Sequence, residues 1–174
     1  MMMNPDHIKR QASAAVEVFG DKDHQLKDGD GFSYGFICFN LGSQEYGVDL
    51  NRIKQIVQPP EITWVPRAKE YVLGVISIRG DVVTLVDVCQ MLGMEPASLG
   101  KMTRVLLMDI EGEIVGLLVD SVTQVRRIGF DEFESNPALD ETLRAEYVIG
   151  IARPAGSGQI TIIDLGGLLA EKIL

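Results

Sequence analysis

The stretch 72–88, VLGVISIRGDVVTLVDV, constrains this chain more than any other. Two runs rich in Val, Ile, Leu and Thr, at 73–78 and 82–88, flank Arg79-Gly80-Asp81. β-branched residues at that density suit strands that pack on at least one face. Gly80-Asp81 has turn chemistry, because Gly accepts positive φ and Asp bonds its own backbone. The stretch reads as a β-hairpin with Arg79 at the end of an otherwise apolar strand. Arg79 then has two readings: a solvated strand-end side chain, or a five-donor recognition group held beside a rigid turn.

The same pattern recurs along the chain. Hairpins are expected from 34–41 with 45–50, from 104–110 with 114–119, and from 147–152 with 159–165. Asn51 is expected to cap a short helix at 52–57, with Ile53, Ile56 and Val57 on one face. A brief extended piece at 62–65 carries Trp64, the single tryptophan. Residues 90–92 make one helical turn, and 121–128 is extended or a short helix. Short helices are expected at 130–133 and 140–144, and a terminal helix at 166–174 turns Leu168, Leu169 and Ile173 inward. Residues 1–33 differ. Asn4-Pro5 can open a helix with a narrow apolar stripe of Ile8, Ala12, Ala15, Val16 and Phe19. An Asp-rich linker follows, so this extension reads as a frayed tail or as a docking helix for a partner.

The two halves resemble each other. Gly47-Val-Asp-Leu-Asn-Arg-Ile-Lys-Gln-Ile lies over Gly116-Leu-Leu-Val-Asp-Ser-Val-Thr-Gln-Val without a gap. Leu73-Gly74-Val75 matches Ile149-Gly150-Ile151, and Thr84-Leu-Val-Asp-Val matches Thr161-Ile-Ile-Asp-Leu. An internal duplication of a small β-unit follows. Short, closely spaced strands with edges to hide suggest two small barrels. They would share one apolar interface, because a unit of about 60 residues is marginal alone.

Composition narrows the function. The net charge of −9 and the absence of a Lys/Arg stripe disfavour nucleic acid and anionic membranes as partners. The N-terminus lacks the apolar core of a signal peptide, and no apolar run is long enough to span a bilayer. Cys38 and Cys89 lie far apart beside apolar strands, which suits reduced thiols in a cytoplasm. The only histidines, His7 and His24, lie in the extension, so the folded part offers no catalytic histidine. No zinc spacing and no phosphate-binding glycine motif is present, and no cofactor or metal is expected. Asp49, Asp87, Asp120 and Asp164 sit at strand ends, where capping and solvation explain them better than acid–base work. What remains is a binding surface: Gln55, Arg79 and Gln124 among Ile53, Ile56, Val119 and Val125. These residues either fill the inter-barrel core or line a groove suited to a partner helix.

Four segments carry a family resemblance. Phe39-Asn-Leu-Gly-Ser-Gln-Glu-Tyr-Gly-Val-Asp-Leu-Asn-Arg-Ile-Lys-Gln-Ile resembles the opening of a CheW-like domain. Residues 73–88 resemble its central signature, and Val115-Gly-Leu-Leu-Val-Asp-Ser-Val with Glu146-Tyr-Val-Ile-Gly-Ile resembles its later motifs. The resemblance implies a mainly β fold: two SH3-like five-stranded β-barrels sharing a hydrophobic core, with short connecting helices and a C-terminal helix. It places a CheW-like domain at 34–174, divided into units at 34–100 and 101–174, and allows these to exchange terminal strands. It implies a non-catalytic, cytoplasmic chemotaxis adaptor. Such proteins join the cytoplasmic tips of chemoreceptors to the regulatory domain of the histidine kinase CheA, at the inner face of the membrane.

By position, the resemblance implies that Arg79, Ile53, Gln55, Ile56, Val57 and Val125 contact the receptor. It implies a kinase surface around Ile62, Trp64 and Pro66, and structural turns at Gly74, Gly80 and Gly116. The chain departs from the family where Gln55 replaces a frequent Glu and Thr84 a common Pro, and in its long N-terminal extension. These departures suit an adaptor of a pilus, gliding or other chemosensory system. No receiver or kinase segment occurs in these residues. Two rivals stand beside the adaptor: an enzyme using strand-end carboxylates that converge in one pocket, and a module that builds arrays by self-association.

Overall fold

The computed structural model describes residues 26–28, 31–135 and 147–173. The expected helices at the N-terminus and at 140–144 lie outside them. Among the described residues, twelve strands form two sheets. In chain order they are β1 (Leu26–Asp28), β2 (Gly31–Leu41), β3 (Gln44–Asp49), β4 (Ile53–Val57), β5 (Val72–Ile78) and β6 (Asp81–Asp87). After the short helix α1 (Val88–Met91) come β7 (Arg104–Ile110), β8 (Glu113–Val119), β9 (Ser121–Gly129), β10 (Phe133–Ser135), β11 (Val148–Ala152) and β12 (Ile160–Ile163). Helix α2 (Leu165–Ile173) ends the described chain.

One sheet runs β1-β2-β3-β12-β11-β10, with β9 on the other side of β2; the second runs β4-β7-β8-β6-β5. The fold is mainly β with few helices, as the sequence indicates. Each sheet curls back on itself. In the second, the chain leaving β4 returns to pair Thr63 with Val75 of β5. In the first, the chain leaving β9 returns as β10 to pair Glu134 with Ile151 of β11. The two closures are equivalent, because Val75 and Ile151 match in the sequence repeat.

The duplication is visible strand by strand. β6 runs parallel to β8, and β12 runs parallel to β3. Bulges occur at matching places, at Lys54 in β4 and Thr123 in β9, and again before Gly74 and before Gly150. The hairpins are exchanged between halves. The β2–β3 hairpin of the first half pairs with β9 and β12 of the second, while β7–β8 of the second half pairs with β4 and β6 of the first. The expected units 34–100 and 101–174 therefore each contribute strands to both sheets.

The cores follow from this exchange. Ile76, Val83, Leu85, Val105, Leu107 and Leu118 fill the interior of the second sheet. Phe36, Cys38, Ile128, Phe133, Ile160 and Ile162 lie within the first. Between the sheets, Phe39, Tyr46 and Val48 meet Val86, Leu106, Met108 and Leu117, and α2 adds Leu165, Leu168 and Leu169. Alternation along each strand sends odd and even residues to different cores.

One expected helix is a strand. Residues 50–52 form a 3-10 turn capped by the Asp49 carboxylate, which accepts the Asn51 N–H at 2.9 Å. Residues 53–57 then extend as β4. The physical reason is the bulge at Lys54. It places Ile53 opposite Met108 and Ile56 opposite Leu106, both on the central-core face. Apolar residues three apart on one face imitate a helix. β9 carries the same device, with Val122 opposite Phe39 and Val125 opposite Ile37.

Candidate partner-binding surface

Arg79 stands at the tip of the β5–β6 hairpin. Ile78 pairs with Asp81, so the turn is Arg79-Gly80, with φ of 51° and 90°. Positive φ at both central residues marks a type I′ turn, whose twist matches that of the flanking strands. The structure thus corrects the expected turn by one residue: Asp81 opens β6 and Arg79 belongs to the turn. An L-residue in this conformation costs about 1–2 kcal/mol. Asn or Asp would occupy it at lower cost. The Arg79 side chain is exposed and makes no hydrogen bond or ion pair with any described residue. Strain of this kind clusters at functional positions.

The remaining expected receptor residues divide. Ile53 packs against the central core, while Ile56 is 37% exposed and Val125 59% exposed. Ile56 and Val125 occupy matching positions on β4 and β9, each on the face that leads into the inter-sheet core. Gln55 is half-buried opposite Leu107, and Gln124 is exposed opposite Cys38. Val57 does not share the Ile53–Ile56 face. It pairs with Val105 and packs on the interior cluster of the second sheet. Val119 is fully buried in the central core.

Around the expected kinase surface, Ile62 packs against the interior of the second sheet, whereas Trp64 is 73% exposed and Pro66 is exposed. The Thr63–Val75 pairing anchors this segment, so Trp64 is presented from a fixed backbone. Of the three glycines expected in turns, only Gly80 is in one. Gly74 and Gly116 are buried inside β5 and β8; the Thr63 backbone leaves no room for a Cβ at Gly74, and at Gly116 a Cβ would press on the Val105 and Leu85 side chains.

The strand-end carboxylates serve the backbone. Asp87 is fully buried; one oxygen accepts the N–H groups of Cys89 and Gln90, and the other accepts that of Ala97 at 2.9 Å. Asp164 accepts from Gly167 at 2.9 Å, and Asp120 from Gly42 at 2.6 Å. Asp49 and Asp164 both border a cavity of only about 20 Å³, and Asp120 lines a separate cleft of about 580 Å³ beside Met94 and Met102. Among the described residues, no group of three or more His, Cys, Asp or Glu side chains is placed to hold a metal ion. Burial pushes the Cys38 thiol up to about 11, helped by the Glu45 charge. Burial likewise pushes Cys89 up to about 12, with Asp120 and Asp87 adding to it. Both thiols are free.

Sequence reasoning missed three exposed apolar side chains: Val82 at 74%, Leu99 at 62% and Met102 at 63%. Val82 was within reach. Once the turn is set at Arg79-Gly80, Val82 pairs with Ser77 and faces outward with it. Leu99 and Met102 lie in the connector 92–103, where no periodicity marks a face.

Three comparisons bear on this arrangement. The family model described as "CheW-like domain" matches residues 35–172. The chain is 29% identical over 159 residues to a probable chemotaxis protein CheW of Rhizobium etli, covering 91% of this chain and 96% of that one. It is 26% identical over 135 residues to Protein FrzA of Myxococcus xanthus, covering 77% and 84%. The scaffolding protein TtCheW from Thermoanaerobacter tengcongensis superposes with a TM-score of 0.70 at 28% identity, covering 78% of this chain and 91% of that one.

Proposed function

Since this chain belongs to the CheW-like domain family, we propose that it is a non-catalytic chemotaxis adaptor that couples chemoreceptor cytoplasmic tips to the regulatory domain of the histidine kinase CheA. The observation that carries this reading is the exposed, unpaired Arg79 on a strained, well-anchored turn. A guanidinium held there meets a carboxylate with two parallel hydrogen bonds and little entropy left to lose. The receptor face comprises Arg79, Ile56 and Val125, with Ile53 and Gln55 supporting it from partly buried positions. The kinase face is the Ile62–Pro66 segment, where Trp64 offers a large, rigid contact. Asp49, Asp87, Asp120 and Asp164 each accept backbone N–H groups, and burial holds both thiols protonated, which supports a role without chemistry. Signalling passes as a change of packing between partners.

Among the described residues, no helix is long and apolar enough to cross a membrane. The adaptor would reach the cytoplasmic side of the membrane through receptor arrays. Similarity to FrzA keeps a non-flagellar chemosensory pathway as a second reading. Reconstitution of receptor-dependent kinase autophosphorylation tests the proposal. Stimulation that requires this chain supports it; a kinase rate unchanged by its addition, with oligomers growing with protein concentration, favours the self-associating array module.

A further inference from the structure

Val82 is 74% exposed although it belongs to a valine-rich strand. A lone surface valine is ordinary, but two features set this one apart. The first is the stripe it heads. Two residues along the same face of β6, Thr84 is half-buried, and two further on Val86 is fully buried in the core shared by the sheets. The stripe climbs from the central core into solvent at the turn end of the strand. The second is its border. Ser77 lies opposite, and extending the parallel Thr84–Val115 register by two residues sets the exposed Glu113 beside it. Arg79, strained and unpaired, stands just beyond.

We infer that Val82 is a second, specificity-determining contact on the surface headed by Arg79, and that the pair selects a partner helix carrying a carboxylate and an apolar side chain one turn apart. The inference rests on the receptor reading above and adds the residue that turns a charge contact into a two-point one. An exposed, unpaired guanidinium favours an anionic side chain as its mate. Residues three or four apart on a helix share a face, so an aliphatic neighbour of that acid falls on Val82. Glu113 on the flank of Val82 repels a second acid there and fixes which way round the helix docks.

The probe is a soluble peptide hairpin spanning a chemoreceptor cytoplasmic tip, titrated against the full chain and against Val82→Ser, Val82→Ile and Arg79→Asn. Thermal melting of each variant confirms the fold. The expected result is about tenfold weaker binding for Val82→Ser, about 1.4 kcal/mol, with Val82→Ile at or above wild type and Arg79→Asn weakest. Wild-type affinity in Val82→Ser, with Arg79→Asn impaired, overturns this inference and leaves the receptor reading intact. Wild-type affinity in Arg79→Asn, or no binding by the wild type, overturns both.

Discussion

Gly74 lies so close to Thr63 that a Cβ on it would come within 3.0 Å of the Thr63 carbonyl group. Thr63 and Val75 meanwhile exchange both backbone hydrogen bonds at 2.8 Å. The approach and the pairing are one device, in which the strand dips to let the passing segment bond to it. The second half repeats it: a Cβ on Gly150 would meet the Phe133 ring and the Glu134 carbonyl. Gly74 also sits at φ 141°, where a side chain is strained regardless of space. Gly74→Ala is expected to cost about 3 kcal/mol or more and to release the segment bearing Trp64. Chemical denaturation measures the first, and Trp64 fluorescence anisotropy the second. A stability loss under about 1 kcal/mol would contradict this account of the closure.

Asp87 and Asp164 match in sequence, and their backbone N–H groups bond the matching carbonyls of Tyr71 and Tyr147 at 2.8 Å. Their side chains differ in burial. Asp87 is fully buried and holds three backbone N–H groups; Asp164 is half-buried and holds one. Asp87→Ala should therefore cost about 3–4 kcal/mol, and Asp164→Ala about 1 kcal/mol. Urea midpoints of the two variants check the order. Equal losses would mean that Asp87 acts as an ordinary cap.

The cysteines set a limit at high pH. Burial raises Cys38 to about 11 and Cys89 to about 12 from an ordinary value of 9.0. Above 9.0 the unfolded chain loses its thiol protons first, so it binds fewer protons than the native state. The thiols' contribution to stability is then constant below pH 9 and falls as pH rises through 11 to 12. At pH 8 neither thiol in the native protein should react with a disulfide reagent until denaturant is added. Reaction at the rate of a free thiol would show that one of them is accessible.

The hairpins and the existence of a duplication were legible because they rest on local patterns: alternation, turn residues and repeated Gly and Thr-x-x-Asp positions. Three features were not, each for a physical reason. Arg79 reads as a strand-end residue because an arginine at positive φ violates ordinary turn preference. The sequence of β4 reads as a helix because the bulge at Lys54 sets Ile53 and Ile56 three apart on one face. The assignment of each hairpin to a sheet rests on long-range pairing between similar halves. The β2–β3 and β7–β8 hairpins have the same local pattern in either arrangement, so only the folded structure distinguishes them. Of the proposed binding surface, the sequence names Arg79, Ile56 and Val125 but leaves Ile56 and Val125 divided between core and groove; the structure exposes both. Val57 falls on the wrong face when 52–57 is read as a helix, and Val82 is hidden when the turn is set one residue late.

We propose that Arg79 is held in its unfavourable conformation for recognition. Arg79→Asn separates that role from folding, because Asn-Gly is a favoured type I′ pair. The variant should fold as well as the wild type, or gain up to about 1 kcal/mol. The measurement is its affinity for the receptor-tip hairpin beside its thermal midpoint. Loss of binding at an unchanged or raised midpoint is the predicted result. Retained binding, or a lowered midpoint that accounts for the loss, would contradict the account and return Arg79 to an ordinary solvated arginine.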